Sequence, residues 1–227
     1  IVGSLFGWMR PDGTRRFRVG YVEVPRKFGK STLAAGVMDY LAFFDGEPGA
    51  EVYCTATKKD HAKIVWEEAK WQLSNADSKF KAAGGYTVQA HNIHNVSTSS
   101  KLLYIGADED STDGLNPHGV GCDEIHAWKS EEFLGKLETA GGARTQPLRF
   151  MITTAGTQTS TLYLSEHAYA ASVVNGTYDD DSWFVFISCA DDPEKWDQEE
   201  QWILANPNPG GPVSLDLLRD EYRRATV

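Results

Sequence analysis

One short loop of the sequence has the residue types that hold phosphate. The segment 25–32 (PRKFGKST) ends in Gly-Lys-Ser-Thr, as does the phosphate-binding pattern G-x-x-x-x-G-K-[ST]. Val24 stands where that pattern begins with glycine, and Arg26 and Lys27 place two charges inside the loop. A helix that starts at such a loop presents unpaired N–H groups and a partial positive charge. The segment therefore predicts a triphosphate site despite the missing glycine.

The roles within this loop follow from the chemistry of each side chain. Lys30 would reach the β- and γ-phosphates, and the hydroxyl of Ser31 would bind Mg²⁺. An ordinary strand-to-helix turn with a surface lysine is the alternative for an isolated Gly-Lys-Ser-Thr. The predicted nucleotide-binding residues of the loop are Pro25, Arg26, Lys27, Phe28, Gly29, Lys30, Ser31 and Thr32.

A pair of carboxylates follows a second apolar stretch. Val120 to Glu124 reads VGCDE, so Asp123 and Glu124 leave the end of a predicted strand side by side. Successive side chains of an extended chain point in different directions, so Asp123 can face a metal ion while Glu124 faces an attacking water. An isolated Asp-Glu pair often only ends a strand. Joined to the phosphate loop, it predicts metal-assisted hydrolysis of a nucleotide.

Strand and helix patterns alternate along the chain and place both motifs at strand ends. Such alternation is typical of an α/β fold with a mainly parallel central sheet flanked by helices. We expect a core over residues 1–160 and a smaller lid or linker subdomain over residues 161–227. The predicted strands are 18–24, 51–55, 87–96, 101–105, 120–123, 148–153 and 183–188, and the predicted helices are 31–44, 61–73, 162–174 and one from Leu215.

Composition limits the class of protein. The 227 residues suffice for one substantial domain, and they contain neither a long apolar run nor a signal-peptide pattern, so we expect a soluble, cytoplasmic protein with no membrane partner. Three cysteines without a Cys-x-x-Cys pair suggest neither a disulfide framework nor a zinc site. A net charge of −10 argues against general coating of DNA, so any contact with nucleic acid must be local.

The motifs together resemble those of the ATPase domain of the large terminase subunit of tailed bacteriophages. The resemblance rests on PRKFGKST, on GCDEIHAW around Asp123, and on MITTAG after the strand 148–153. It implies a P-loop NTPase of the additional-strand, catalytic-glutamate type that uses ATP and Mg²⁺. It also implies a motor that moves double-stranded DNA into a viral procapsid, with the portal protein and the small terminase subunit as partners. Such a motor forms a homo-oligomeric ring in the host cytoplasm at the procapsid portal, although a monomer in isolation stays possible.

The resemblance also assigns roles to individual residues. Arg26 stands where the family's loop arginine acts on the phosphates, and Thr153 and Thr154 stand in the coupling motif. The adenine site corresponds to the region of Trp8 and Arg10. Arg144 is a further candidate, since an arginine can be inserted into a neighbouring subunit's site, although surface arginines are common. The predicted catalytic residues are Glu124, Arg26, Lys30 and Arg144, and the predicted metal ligands are Ser31 and Asp123.

Two other functions remain open from the sequence. A helicase-like or other nucleic-acid-dependent ATPase would share the phosphate loop but requires a second motor domain. A non-catalytic nucleotide-binding scaffold would need no water-activating carboxylate at Glu124. Large terminases usually continue into a nuclease domain, and we expect no nuclease activity from this chain. The acidic cluster at Asp108, Glu109, Asp110 and Asp113 is the only segment that could suggest one.

Overall fold

A computed structural model describes residues 1–107, 114–128, 131–156, 160–207 and 213–225. The acidic cluster at residues 108–113 therefore lies outside the described residues. Within the described ranges the chain forms eight α-helices and eight strands. They are α1 (Val2–Gly7), β1 (Val19–Glu23), α2 (Lys30–Phe43), β2 (Glu51–Ala56), α3 (Lys59–Asn75), α4 (Ser78–Gly84), β3 (Thr87–Val88), β4 (Ile93–Asn95), β5 (Ser100–Gly106), β6 (Pro117–Asp123), α5 (Glu132–Ala140), β7 (Leu148–Thr153), α6 (Thr161–Val174), β8 (Trp183–Ile187), α7 (Glu199–Ala205) and α8 (Leu215–Ala225).

The strands form one sheet in the order β3-β4-β5-β2-β6-β7-β1-β8. All pairs from β5 to β8 are parallel, and only β3 and β4 add antiparallel pairs at one edge. Strand β7 lies between β1, which leads into the phosphate loop, and β6, which carries the acidic pair. This inserted strand confirms the predicted additional-strand fold.

Helices cover both faces of the sheet because successive side chains of each strand point to opposite sides. On β1, Val22 packs into a cluster with α2 and α3, whereas Tyr21 packs into a second cluster with α5 and α6. On β7, Phe150 and Met151 divide between the same two clusters. The sheet is therefore buried on both sides, which explains why its strands read as continuous apolar runs.

The sheet continues beyond residue 160, where the sequence analysis placed the end of the core. Strand β8 pairs with β1 along its full length, so residues 183–187 belong to the sheet rather than to a separate lid. The segment that leaves the sheet begins after Ile187 and includes α7 and α8. A bidentate ion pair joins these two helices, with Arg219 Nε 2.6 Å from Glu199 Oε1 and Arg219 Nη2 2.8 Å from Oε2.

Four helices were missing from the sequence-based prediction, and one predicted strand is divided. Helices α1, α4 and α7 have six or seven residues and α5 has nine, so none shows the long apolar periodicity on which the prediction depended. The predicted strand 87–96 forms β3 and β4, because the chain turns back where Gln89 N donates to Asn92 O at 2.8 Å. In the described part of the chain, no helix is long and apolar enough to cross a membrane.

Two glycines of β6 allow α2 to lie close to the sheet. A Cβ atom added to Gly119 would lie 2.8 Å from Leu41 Cδ1 and 3.1 Å from Val52 Cγ1, and one added to Gly121 would lie 2.8 Å from Met38 Sδ. All three contacts are shorter than ordinary van der Waals packing. The spacing between β6 and α2, the helix that begins at the phosphate loop, therefore depends on these missing side chains.

We expect Gly119→Ala to destabilise the fold by about 1–3 kcal/mol, because the new methyl group overpacks a filled core. Gly135→Ala is the matched control, since a Cβ at Gly135 of α5 meets nothing within 4 Å. That change should stabilise by about 0.5–1 kcal/mol, because alanine favours a helix interior. Urea unfolding of both variants measures the difference. Equal effects would show that α2 has room to move away from β6.

Candidate nucleotide-binding and catalytic site

The phosphate loop connects the carboxyl end of β1 to the first turn of α2. Lys27 (φ 68°) and Gly29 (φ 98°) both adopt left-handed backbone conformations, which curl the loop. Loops with such conformations direct successive N–H groups inward and favour anions. Val24 is only 1% exposed, and its N–H donates to Thr153 O at 3.1 Å. The valine at the usual glycine position is therefore a core residue that fixes the loop to β7.

Within the loop, one cation is buried and two are exposed. Lys30 is 8% exposed, and its Nζ lies 3.6 Å from Glu124 Oε1. Arg26 and Lys27 lie at the exposed outer side of the loop. The hydroxyl of Thr32 donates to Glu68 Oε1 at 3.0 Å, which ties the start of α2 to α3. The buried lysine and the catalytic carboxylate predicted from sequence therefore meet in the structure.

The acidic pair turns sharply as it leaves β6. Glu124 adopts φ 50° and ψ 51°, a left-handed conformation that costs a non-glycine residue about 1–2 kcal/mol. Its N–H donates to Ile152 O of β7 at 2.9 Å, which holds this conformation in place. The indole of Trp128 donates to Asp123 O at 2.9 Å from the other side. The turn directs the Glu124 carboxylate toward Lys30 and leaves Asp123 in the sheet.

Asp123 is chemically suited to hold a cation. Its side chain is 9% exposed, and Oδ1 has no hydrogen-bond partner among the described residues. Burial, and secondarily the charge of Glu124, raise the pKa of Asp123 to about 6, while Lys30 opposes this shift. An unpaired buried carboxylate oxygen is a type of ligand that Mg²⁺ takes in proteins. Asp123 therefore fits the predicted metal role together with Ser31, which is half-buried at the start of α2.

The threonines predicted as coupling residues are buried at the end of β7. Thr153 Oγ1 donates to Thr154 O at 2.8 Å and accepts from the backbone N–H of His126 at 3.3 Å. The His126 ring also reaches Glu124, with Nδ1 3.0 Å from Oε2. The sequence analysis did not select His126. The available signal was its place two residues after Glu124, inside the same short motif.

A second buried carboxylate lies at the end of β1 next to the phosphate loop. Glu23 accepts hydrogen bonds from Tyr21 at 2.7 Å and from Tyr163 at 3.0 Å, and His167 Nδ1 lies 2.8 Å from its Oε2. Tyr163 and His167 belong to α6. This network, which the sequence analysis also missed, joins α6 to the strand that carries the loop.

Arg144 does not lie at this chain's own phosphate site, and its predicted insertion into a neighbouring subunit's site stays a prediction. Its guanidinium donates to Asn116 O at 2.9 Å, to Pro48 O at 3.1 Å and to Gly49 O at 2.7 Å. These carbonyls precede β6 and β2, so they lie at the amino edge of the sheet, whereas Lys30 and Glu124 lie at the carboxyl edge. Arg144 is about 10% exposed and also pairs with Glu47 at 3.4 Å. The structure assigns it a role in holding a turn.

Trp8 and Arg10 also lie away from the phosphate loop. The Trp8 ring stacks on Phe17 with centroids 5.9 Å apart, and Arg10 donates to Arg16 O at 3.3 Å. Phe17 precedes β1 and the loop follows it, so the five-residue strand separates them by about 17 Å. The two residues predicted for adenine binding therefore lie near the other end of β1 from the phosphate loop, and their role stays a prediction.

A phosphate loop and an acidic strand separated by one inserted parallel strand define a P-loop ATPase of the additional-strand class. The sequence profile of one family, described as "Terminase large subunit, ATPase domain", matches residues 1–172. The chain belongs to this family, and its activity is ATP hydrolysis. The resemblance inferred from the motifs is thereby confirmed.

Individual relatives agree with this assignment. Protein YmfN of Escherichia coli (strain K12) is 31% identical over 113 residues, which cover 50% of this chain and 25% of YmfN. The large terminase of bacteriophage HK97 superimposes with a TM-score of 0.78 at 20% identity, over 96% of this chain and 44% of that chain. The ATPase domain of the Thermus phage P74-26 large terminase gives a TM-score of 0.57 at 15% identity, over 91% of this chain and 92% of that chain. The matched part thus spans 25% of the length of YmfN and 44% of the length of the HK97 large terminase.

The raised pKa of Asp123 predicts that the metal-free protein loses stability as the pH rises from about 4 to about 6. In that range the folded state binds more protons than the unfolded state, whose aspartate titrates near 3.8. Above it the full cost of the buried charge, about 2–3 kcal/mol, is present. Asp123→Asn should therefore be more stable than the parent by that amount at pH 8, and equally stable at pH 4, in urea unfolding with a chelator.

Asp181→Asn, at an exposed surface pair with Arg16, is the control and should change little. Parallel pH curves for parent and Asp123→Asn would contradict the assignment.

The environment of Arg144 predicts that Arg144→Ala lowers the free energy of unfolding by about 2–4 kcal/mol, because several part-buried carbonyls lose their donor. ATP turnover per folded molecule, measured well below the unfolding temperature, should stay unchanged. Arg16→Ala, at a half-exposed pair, is the control and should cost less than about 1 kcal/mol. A variant of full stability that has lost turnover would restore Arg144 as an arginine finger.

Proposed function

We propose that this ATPase drives the translocation of double-stranded DNA into a viral procapsid, as the motor part of a large terminase subunit. The observation that carries the proposal is the meeting of Lys30 and Glu124, 3.6 Å apart, beside the buried Asp123 in a member of this family. A phosphate clamp, a metal ligand and a water-activating carboxylate are the parts that phosphoryl transfer to water requires. In this proposal Glu124 is the general base.

Mg²⁺ would be held by the Ser31 hydroxyl and the Asp123 carboxylate. When bound, it would neutralise negative charge on the phosphates. The chain's own residues orient the reactants. The N–H groups of the curled loop and the Lys30 ammonium group bind the phosphates, and the Glu124 carboxylate accepts a proton from the attacking water.

The Lys30–Glu124 contact also suggests an order of events. A buried ammonium group needs a negative partner, and Glu124 supplies it before nucleotide arrives. Phosphate oxygens would replace Glu124 as the partner of Lys30. The carboxylate would then be free to orient water, so that the base becomes available only when the substrate is in place.

Arg26 is the arginine that we assign to the phosphates during hydrolysis. It lies exposed on the loop, where a guanidinium can turn toward the γ-phosphate or toward a neighbouring subunit. The outer side of the loop, from Pro25 to Phe28, borders Asn206, Pro207 and Val213 of the C-terminal segment. A change of the loop on nucleotide binding would therefore reach this segment directly, and Thr153 and Thr154 would transmit it along β7.

The remaining parts of the proposal concern the assembly. We infer a homo-oligomeric ring at the portal of the procapsid, in the cytoplasm of the bacterial host, with the portal protein and the small terminase subunit as partners. The boundary of the lid or linker subdomain is best drawn after β8, since the sheet continues to Ile187. The Glu124 carboxylate facing Lys30 favours a catalytic protein over a nucleotide-binding scaffold.

We expect Glu124→Gln to bind ATP at least as tightly as the parent, because Lys30 loses its competing partner, while turnover falls by about 10²–10³-fold. Arg26→Ala should lower turnover with a smaller effect on binding. Lys136→Ala is the control, an exposed cation of α5 that pairs with Glu132 at 2.8 Å. ATP hydrolysis and equilibrium binding of labelled ATP measure both effects.

The design separates the candidate functions. A parent chain that binds ATP without turnover at any concentration would support the scaffold instead. Restored turnover on mixing Glu124→Gln with Arg26→Ala would show a site shared between subunits. The full-length protein carrying Glu124→Gln should bind procapsids and package no DNA. Packaging at the parental rate by that variant would overturn the motor assignment.

A further inference from the structure

One side chain touches both the catalytic carboxylate and the strand-end threonines. Nδ1 of His126 lies 3.0 Å from Glu124 Oε2, 3.0 Å from Thr153 Oγ1 and 3.4 Å from Thr154 Oγ1. The His126 side chain is about a quarter exposed, while Thr153 is fully buried. A single ring nitrogen therefore faces three oxygens that belong to two different elements.

The hydrogen bonds of this cluster restrict what Nδ1 can do. Thr153 Oγ1 already donates to Thr154 O, so it faces Nδ1 as an acceptor. The approach of Nδ1 to Glu124 Oε2 has the distance of an ion pair, but Oε2 lacks an aligned hydrogen bond. Catalytic hydrogen bonds are often poorly aligned before the substrate binds and tighten afterwards. A hydrogen on Nδ1 that is donated to Thr153 Oγ1 is thus also within reach of Glu124 Oε2.

The contact between His126 and Glu124 would hold the carboxylate once Lys30 no longer pairs with Glu124. While Lys30 Nζ stays 3.6 Å from Glu124 Oε1, the carboxylate has a nitrogen atom near each oxygen, Lys30 Nζ near Oε1 and His126 Nδ1 near Oε2. Once phosphate replaces Glu124 as the partner of Lys30, His126 is the remaining side chain of the described contacts that can hold the carboxylate. The left-handed backbone of Glu124 fixes its Cα, so only a side-chain contact can fix the carboxylate itself.

We propose that His126 is a positioning residue that aims the Glu124 carboxylate at the attacking water and links it to Thr153 at the end of β7. This inference rests on the proposed role of Glu124 as the general base. It adds a physical connection: a shift of the β7 end would move Thr153, then the imidazole, then the base. ATP hydrolysis would therefore be sensitive to strain on β7 without any change in phosphate binding.

The test compares three substitutions that differ in where they place a polar atom. The amide group of Asn is attached at Cγ, as Nδ1 is, whereas that of Gln lies one carbon farther out, level with Nε2. We expect His126→Ala and His126→Gln to lower kcat by roughly ten- to hundredfold, and His126→Asn to keep kcat within about threefold of the parent. The Kd for ATP should change by less than about twofold in all three, because Lys30 and the loop are untouched.

Several results would overturn the proposal. An unchanged kcat in His126→Ala would do so, as would equal losses in the Asn and Gln variants. A rise in Kd that matches the fall in kcat would show a general disturbance of the site. Ser100→Ala controls for the loss of a buried hydroxyl elsewhere, since Ser100 Oγ accepts from Ala50 N at 3.2 Å at the amino edge of the sheet. It should leave kcat unchanged, whereas Thr153→Val should lower it.

A second measurement does not depend on turnover. The urea-unfolding midpoints of His126→Ala, Thr153→Val and the double variant are compared without nucleotide. Coupled residues give a double variant less destabilised than the sum of the single changes, and additive shifts would overturn the link. A parent that binds ATP but shows no hydrolysis would overturn the proposed function, and this unfolding cycle alone would then decide whether His126 and Thr153 are linked.

Discussion

The contact between the Lys30 ammonium group and the Glu124 carboxylate depends on the width of a single strand. Lys30 follows β1 and Glu124 follows β6, and these strands are separated only by β7. Neighbouring strands lie about 4.8 Å apart, so two side chains can bridge the gap from both sides. The bridge closes at 3.6 Å because Glu124 takes a left-handed turn and because Gly119 and Gly121 let α2 approach β6.

The same contact explains how the site remains stable without a nucleotide. A lysine that is 8% exposed would carry a large desolvation cost if its charge were unpaired. Glu124 offsets that cost, while Asp123 bears the cost of its own burial as a raised pKa of about 6. Triphosphate and Mg²⁺ would satisfy both groups at once. In the proposed function, the substrate and its metal ion would offset both electrostatic costs.

The sequence was sufficient for the features that depend on local pattern. The parallel strands, the α2 and α3 helices, and the residues of both motifs lie where apolar periodicity and Gly-Lys-Ser-Thr place them. The roles predicted for Arg144 and Trp8 stay predictions, and both residues lie near the amino end of a core strand. Which edge of a sheet a loop joins follows from strand direction, and the pattern around GGART does not reveal it. The strand 183–188 was predicted, but its place in the main sheet was not, because its partner β1 lies far away in the chain.

The amino and carboxyl edges of the sheet are held by different interactions. A buried ion-pair network lies at the amino edge, where Arg15 Nη1 is 3.0 Å and His118 Nε2 is 2.8 Å from Asp45 Oδ2. Arg144 donates to Gly49 O at 2.7 Å and so stabilises the turn before β2. At the carboxyl edge, carbonyl groups at the end of β7 instead accept hydrogen bonds from the N–H groups of Val24 and Glu124. Val24 begins the loop, and Glu124 begins the acidic turn. The phosphate loop and Glu124, the proposed general base, are thus hydrogen-bonded to two consecutive carbonyl groups, those of Thr153 and Ile152. A displacement of this strand end would therefore move both groups, which is why the proposed coupling between DNA movement and hydrolysis is placed at β7.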